Sequence, residues 1–271
     1  RGDARALARG SRDPAAADPV MGERTGISWT DVTWNPWQGC HKVSLGCRRC
    51  YMFREKERYG QDPDVVVRSH PRTFTLPLRL ERGRVQRVFT CSWSDFFIEE
   101  ADPWREEVWS IIQRTPWLTY QILTKRPERM AGRLPWSSRT PWSNVWLIVS
   151  AENQATADER IPVLLSTSAA VRGMSYEPML APVDVSPWLT CRYHPVEPSS
   201  CVCGLKLDWI IAGGESGSDH TVMEIPWLRS IYTQTRRSGV ALFVKQDSSP
   251  KPGLQGRIPD ELWIHEFPKG A

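Results

Sequence analysis

The sequence predicts an α/β fold: an incomplete or modified (β/α) barrel of parallel strands with outer helices. Three observations predict it. Short apolar or β-branched runs recur between residues 85 and 246, and each ends abruptly in polar side chains. Stretches with apolar residues at helical spacing lie between several of these runs. Strands that alternate with helices build a parallel sheet, because a parallel crossover needs a helix-length connection.

The strands follow in order. Val88-Phe89-Thr90 ends in Cys91-Ser92-Trp93-Ser94-Asp95, and Tyr120-Gln121-Ile122-Leu123 ends in Thr124-Lys125-Arg126-Pro127. Residues 145–149 end in Ser150-Ala151-Glu152-Asn153, and 171–174 end in Ser175-Tyr176-Glu177-Pro178. Residues 209–212 end in Gly213-Gly214-Glu215-Ser216, and 241–244 end in Lys245-Gln246. Barrel-type α/β folds place their chemistry at the C-terminal ends of strands, so these endings are read as one shared pocket.

The helices are marked by their termini. Trp104, Val108, Ile111 and Ile112 share one helical face, with Asp102 read as N-cap and Pro103 in the first turn. Pro226 opens a helix bearing Trp227, Leu228, Ile231 and Tyr232. Arg236 and Arg237 fall in its last turn and Gly239 at its C-terminal cap. Residues 158–165 read as a weaker helix, with Pro162 near its start or at a kink. The tryptophans at helical spacing read as core and helix-to-barrel packing rather than base-stacking platforms.

The chain has 271 residues, 40% hydrophobic and 24% charged, as in a globular protein. No apolar run is long enough to span a membrane. A net charge of +4 leans only weakly toward anionic partners. Residues 1–20 differ in composition from the chain after Met21 and are expected to be a disordered or non-native extension. Residues 21–271 are expected to form one domain. The chain has seven cysteines and shows no signal peptide, which favours metal binding or catalysis in a reducing cytoplasm over a disulfide framework.

Three of the cysteines, Cys40, Cys47 and Cys50, are spaced C-x6-C-x2-C within Asn35-Pro36-Trp37-Gln38-Gly39-Cys40 and Cys47-Arg48-Arg49-Cys50-Tyr51. The Cys47/Cys50 pair has the short loop that clamps a metal centre. Gly39 and Gly46 allow tight turns beside the ligands, and Arg48 and Arg49 are positioned to lower thiol pKa values. A helix from near Cys50 to Tyr59 would point its N-terminus at the centre. Three thiolates suit a 4Fe–4S cluster with one open iron. The competing reading is a zinc ion with His41 as fourth ligand.

A second group, Cys191, His194, Cys201 and Cys203, lies in a Pro- and Ser-containing insert over 188–206. These ligand types suit zinc, with an auxiliary cluster or uncoordinated thiols as alternatives. Cys91 reads either as a buried small hydrophobe or as a thiol facing the pocket. Lys125 and Arg126 are candidate binders of a carboxylate or phosphate. Glu152, Glu177 and Glu215 are candidates for acid–base work, ribose binding or structural ion pairing.

The motif Asn-Pro-aromatic-x-Gly-Cys followed by Cys-x-x-Cys-Tyr resembles the cluster loop of radical SAM enzymes, especially the spore-photoproduct-lyase-like branch. More widely, the chain resembles an uncharacterised family of phage and bacterial proteins of unknown function with radical-SAM-like features. This wider likeness runs through 27–51, 124–127, 150–153, 175–178, 213–217, 244–246 and 262–268. The resemblance implies a barrel of radical SAM type and a cluster-bound S-adenosylmethionine. It also implies an electron donor and a 5′-deoxyadenosyl radical that takes hydrogen from a substrate, for which a nucleic acid or nucleotide is the leaning.

The chain departs from that pattern in two places. Radical SAM loops usually read C-x3-C-x2-C, and three more residues follow Cys40 here. The Gly213-Gly214-Glu215 triplet follows a late strand, whereas the corresponding family motif follows an early one. Ser92, Ser94 and Asp95 stand in the family motif's place. Cofactor contacts are therefore expected from Ser92, Ser94, Asp95, Ser150, Glu152, Asn153, Gly213 and Gly214. Catalytic roles are expected from Cys91, Lys125, Arg126, Glu177 and Glu215. Two further readings stand beside this one. One is a zinc-binding barrel of phage DNA metabolism without radical chemistry. The other is a barrel that keeps a cluster for stability or redox sensing.

Overall fold

A computed structural model of the chain describes residues 25–136, 140–190 and 205–269. The first strand, β1, spans Val32–Trp34 and is followed by the short β2, Trp37–Gln38. The cysteine loop leaves β2, passes into helix α1 (Tyr51–Arg58) and returns as β3 (Val67–Arg68), which pairs antiparallel with β2. Helix α2 spans Pro71–Phe74. The remaining elements are β4 (Arg87–Thr90), α3 (Asp102–Arg114), β5 (Thr119–Thr124), β6 (Val145–Ser150), α4 (Gln154–Ser166), β7 (Val171–Tyr176), β8 (Trp209–Gly213), α5 (Ile225–Ser238) and β9 (Ala241–Gln246).

Seven strands form one parallel sheet in the order β1-β4-β5-β6-β7-β8-β9, curled into a half-barrel. All six strands read from the apolar runs are present, and β1 is an addition at the edge. It is only three residues long, too short for periodicity to reveal. Among the described residues, no helix is long and apolar enough to cross a membrane.

Side-chain alternation divides the sheet into two faces. The outer face carries Val88, Tyr120, Ile122, Leu147, Val149, Met174, Ile210, Ala212 and Val244, which join the helices in the larger core. The inner face carries Phe89, Trp146, Ile148, Trp209, Ile211 and Phe243, joined by Trp29. Trp104 and Trp227, at helical spacing, pack partly buried against the larger core, and Trp29, Trp34, Trp37 and Trp209, outside the helices, are fully buried.

Helix termini differ from expectation in two places. Asp102 is the first residue of α3, and Ala101 holds the cap position. The Asp102 carboxylate instead gathers Arg105, Arg129 (3.0 Å) and Arg133 (3.1 Å). Helix α4 begins at Gln154, four residues before the expected start, so Pro162 lies in its interior. Its start is fixed by Asn153, whose side chain accepts from Thr156 N at 3.0 Å while Thr156 Oγ1 accepts from Asn153 N. This reciprocal cap satisfies two otherwise orphaned donors and offsets the hydrogen bond lost at the proline. Helix α5 matches expectation, ending in Arg236 and Arg237 with Gly239 in the left-handed cap conformation.

The Asp102 cluster predicts an acid-sensitive contribution to stability. Burial pushes its pKa up, but the bonds from Arg133 and Arg105 outweigh that and hold it down at about 2, against an ordinary 3.8. A depressed carboxyl stabilises the fold fully above its unfolded value and ceases to do so as pH falls through the folded value. Thermal melts between about pH 5 and about pH 2, a range that brackets this titration, are expected to lose this component in the wild type and to lack it in Asp102→Asn.

Candidate functional site

A cavity of about 190 Å³ opens at the C-terminal ends of the strands. Of the residues singled out from sequence, Cys40, Cys47 and Cys50 line it, as do Cys91, Ser92, Ser94, Asp95, Lys125, Arg126, Ser150 and Glu177. Glu152, Asn153, Gly213, Gly214 and Glu215 are not part of its wall. Cys191, His194, Cys201 and Cys203, with most of the expected 188–206 insert, lie outside the described residues, as does the 1–20 extension.

The cysteine loop begins stitched to the end of β4. Gly39 N donates to Trp93 O (3.0 Å), and Ser94 Oγ donates to Gly39 O (2.6 Å). Trp93 N donates to Asn35 Oδ1 (2.8 Å), and the Tyr51 hydroxyl donates to Ser92 O. Gly39 sits at φ +98, and a Cβ there would lie 2.2 Å from Val65 O. Gly39→Ala is therefore expected to destabilise the chain by more than about 2 kcal/mol, read as a lower urea midpoint.

Three distant side chains then fix the loop over the cavity. Arg126 donates from Nη2 to His41 O (2.9 Å) and places Nη1 3.7 Å from Cys40 Sγ. Glu152, fully buried, accepts from Gly46 N (3.0 Å) and pairs with Arg160 (3.3 Å). Arg49 reaches Glu215 (3.3 Å), Thr221 Oγ1 (2.6 Å) and Asp219 (3.3 Å). Glu152 and Glu215 thus hold the loop, and Arg49 is committed to that ion pair rather than turned to a thiol. Arg48 is exposed. Behind Arg126 stands Asp95, whose carboxylate takes Thr124 Oγ1 (2.7 Å), Phe97 N (2.9 Å), Lys125 N (2.8 Å) and Arg126 Nη1 (3.3 Å).

All four described cysteines are uncrosslinked, and Cys47 is buried while Cys40 and Cys50 are partly exposed. Among the described residues, no three His, Cys, Asp or Glu side chains sit close enough together to hold one metal ion. Cys40, Cys47 and Cys50 line one cavity in common, together with Cys91. His41, the fourth ligand in the competing zinc reading, is turned to carboxylates at both ring nitrogens, Glu100 at 2.5 Å and Asp64 at 3.5 Å. The Glu100 bond raises the His41 pKa above its ordinary value. Burial and the nearby Asp95 push the Cys40 thiol up to about 12 against the pull of Arg126, so metal loading there must displace a proton.

The inner face continues to the strand ends. Phe89, Leu123 and Ile148 give way to Lys125, Ser150 and Ser175, then to Glu177, Gly213 and Lys245. Lys245 on β9 reaches Glu177 after β7 at 3.2 Å, crossing β8 at Gly213. A Cβ on Gly213 would lie 2.9 Å from Glu177 Oε1, so the missing side chain leaves room for this pair. Ser175, Thr124 and Lys245, read from sequence as members of the polar strand endings but given no individual role, also line the cavity. Counting inward positions by twos from Phe243 finds Lys245, and from Leu123 finds Lys125.

A model of the family described as a protein of unknown function, DUF5131, matches residues 24–255. The chain belongs to DUF5131. No curated protein and no solved structure matches it. The DUF5131 match takes in the cysteine loop, every strand of the half-barrel and the 191–203 cysteines. It stops before 262–268, part of the wider resemblance read from sequence. That segment edges the sheet instead: Val244 N donates to Ile264 O and Glu266 N to Leu242 O.

Within this DUF5131 half-barrel, Cys91 occupies a special place. It is buried, lines the cavity and has φ +66, a left-handed backbone that non-glycine residues seldom adopt. Its N–H donates to Trp34 O at 2.8 Å, which ties the turn to β1. Burial raises its thiol pKa well above the ordinary value, so the sulfur stays protonated at neutral pH.

Proposed function

We propose that this chain is an iron–sulfur protein of radical SAM type, with Cys40, Cys47 and Cys50 as the cluster ligands. The observation that carries the reading is the convergence of the loop cysteines Cys40, Cys47 and Cys50 on one cavity at the C-terminal ends of a parallel half-barrel. A cluster bound there with an open iron would supply the electron that cleaves S-adenosylmethionine into a 5′-deoxyadenosyl radical.

The chain's own residues set the conditions for that chemistry. Arg126 beside Cys40 balances the negative charge of ligating sulfur. Glu152 and Glu215 hold the loop so that its thiols face the cavity. The aromatic and aliphatic inner face, with Trp29, Phe89 and Leu123 at the cavity wall, keeps water from the reacting end. Cys91 keeps a protonated thiol at that wall, where it can donate hydrogen to a substrate radical. Electrons would come from a separate one-electron donor.

The test is iron, sulfide and zinc content after anaerobic purification and reconstitution, with visible spectra before and after S-adenosylmethionine. Cluster-level iron and sulfide with a spectral change are expected. Zinc without iron would overturn the proposal in favour of a zinc-binding barrel. Cluster iron with no response to S-adenosylmethionine would leave a structural or redox-sensing cluster.

A further inference from the structure

We propose that Lys125, Ser150 and Ser175 form an anion subsite that takes the phosphate or carboxylate group of the substrate. This subsite deepens the proposed function and rests on it only in that the ligand is called a substrate.

Charge is unevenly satisfied around the cavity. Three cations line it: Lys125, Arg126 and Lys245. Arg126 is paired with Asp95 at 3.3 Å and Lys245 with Glu177 at 3.2 Å. Among the described residues, the Lys125 ammonium has no carboxylate or other polar partner. An ammonium on a partly apolar wall, away from full hydration, gains most from an anion brought by a ligand.

Register supplies the remaining donors. Thr124 pairs with Val149, which places Lys125 beside Ser150, and Ser150 pairs with Ser175. The three residues form a row across adjacent inward positions, about 4.8 Å apart from strand to strand. Ser150 and Ser175 are 4% and 2% exposed, yet their hydroxyls are scarcely used. Among the described residues, Ser150 Oγ has no hydrogen-bond partner, and Ser175 Oγ reaches only Glu177 Oε2, at 3.4 Å. The flexible stem of lysine lets its ammonium swing toward the two hydroxyls and share one anion with them.

The surroundings favour binding and access. Below the row lie Leu123 and Ile148, apolar positions that lower the local dielectric and strengthen a charge-assisted bond. Lys125 also lines an outer pocket of about 280 Å³, so it can be reached from both sides. Phosphate and carboxylate share the required chemistry, and the experiment separates them.

The experiment is calorimetric titration of the full chain at low ionic strength, with inorganic phosphate in one arm and acetate in the other. Iron is measured on the same samples, and thermal melts check that each variant folds. Saturable binding is expected, weakened at least about tenfold, as for loss of a charge-assisted bond, in Lys125→Met. Ser150→Ala should weaken it less, and Lys251→Met, at an exposed lysine outside the cavity, should not change it. The tighter arm names the anion class. No saturable binding in either arm, or binding that Lys125→Met leaves unchanged, overturns the subsite. Anion binding that S-adenosylmethionine abolishes in iron-loaded protein overturns its assignment to substrate. Because the titration needs no iron, Lys125-dependent binding in protein that takes up no iron on reconstitution sinks the cluster reading and leaves the subsite standing.

Discussion

Cys47→Ala is expected to reduce cluster iron from near stoichiometric to background. A cluster on three thiolates already leaves one iron without a protein ligand, and removing a second anchor leaves two bonds to hold four irons. The same change should cost the metal-free fold only about 1 kcal/mol, since a buried thiol packs as a small hydrophobe. Iron content and the urea midpoint of the metal-free protein therefore separate ligation from folding. Cys91→Ala is the matching control, because Cys91 lies at the end of β4 and outside the loop. Full iron in the Cys47 variant would remove these three cysteines as the ligand set.

Asp95→Ala is expected to be the most destabilising substitution at the site, at about 3–5 kcal/mol. The carboxylate is 5% exposed and accepts from four donors on two neighbouring strand ends. Its removal leaves the Arg126 guanidinium, itself 8% exposed, without a counter-charge. Arg126 in turn holds His41 O and the Cys40 sulfur, so the loop should loosen with it. Asp95→Asn preserves shape and some acceptor capacity and should cost less. The measurement is the denaturant midpoint of the metal-free protein, and a loss under about 1 kcal/mol would show that the Asp95 hub is not limiting.

Glu152 and Glu215 show where reading along the chain runs out. Each follows a strand, as Glu177 does, and the three look equivalent in one dimension. In space, Glu177 faces the cavity and Lys245, while Glu152 and Glu215 turn to Gly46 N and Arg49. Asn153 likewise reads along the chain as part of a polar cofactor-binding ending, yet its side chain caps α4. His41, adjacent to a cysteine and of a metal-binding type, is held by Glu100 and Asp64. No local signal separates these fates, because each depends on a partner set by the fold.

What the sequence by itself determined is what local physics controls. Six strands follow from apolar runs, the ends of α5 from Pro226 and Gly239, and a three-thiol loop from cysteine spacing. The order of strands follows from alternation, since parallel strands joined by helices leave little topological choice. The tertiary structure alone decided which polar strand endings form the cavity and which anchor the loop above it. That division rests on contacts such as Gly46 to Glu152, 106 residues apart, and Arg49 to Glu215, 166 apart. It also rests on inter-strand register, which sets Lys125, Ser150 and Ser175 in one row. Register comes from the packing of the whole sheet, and a shift of one residue would turn every one of those side chains to the opposite face.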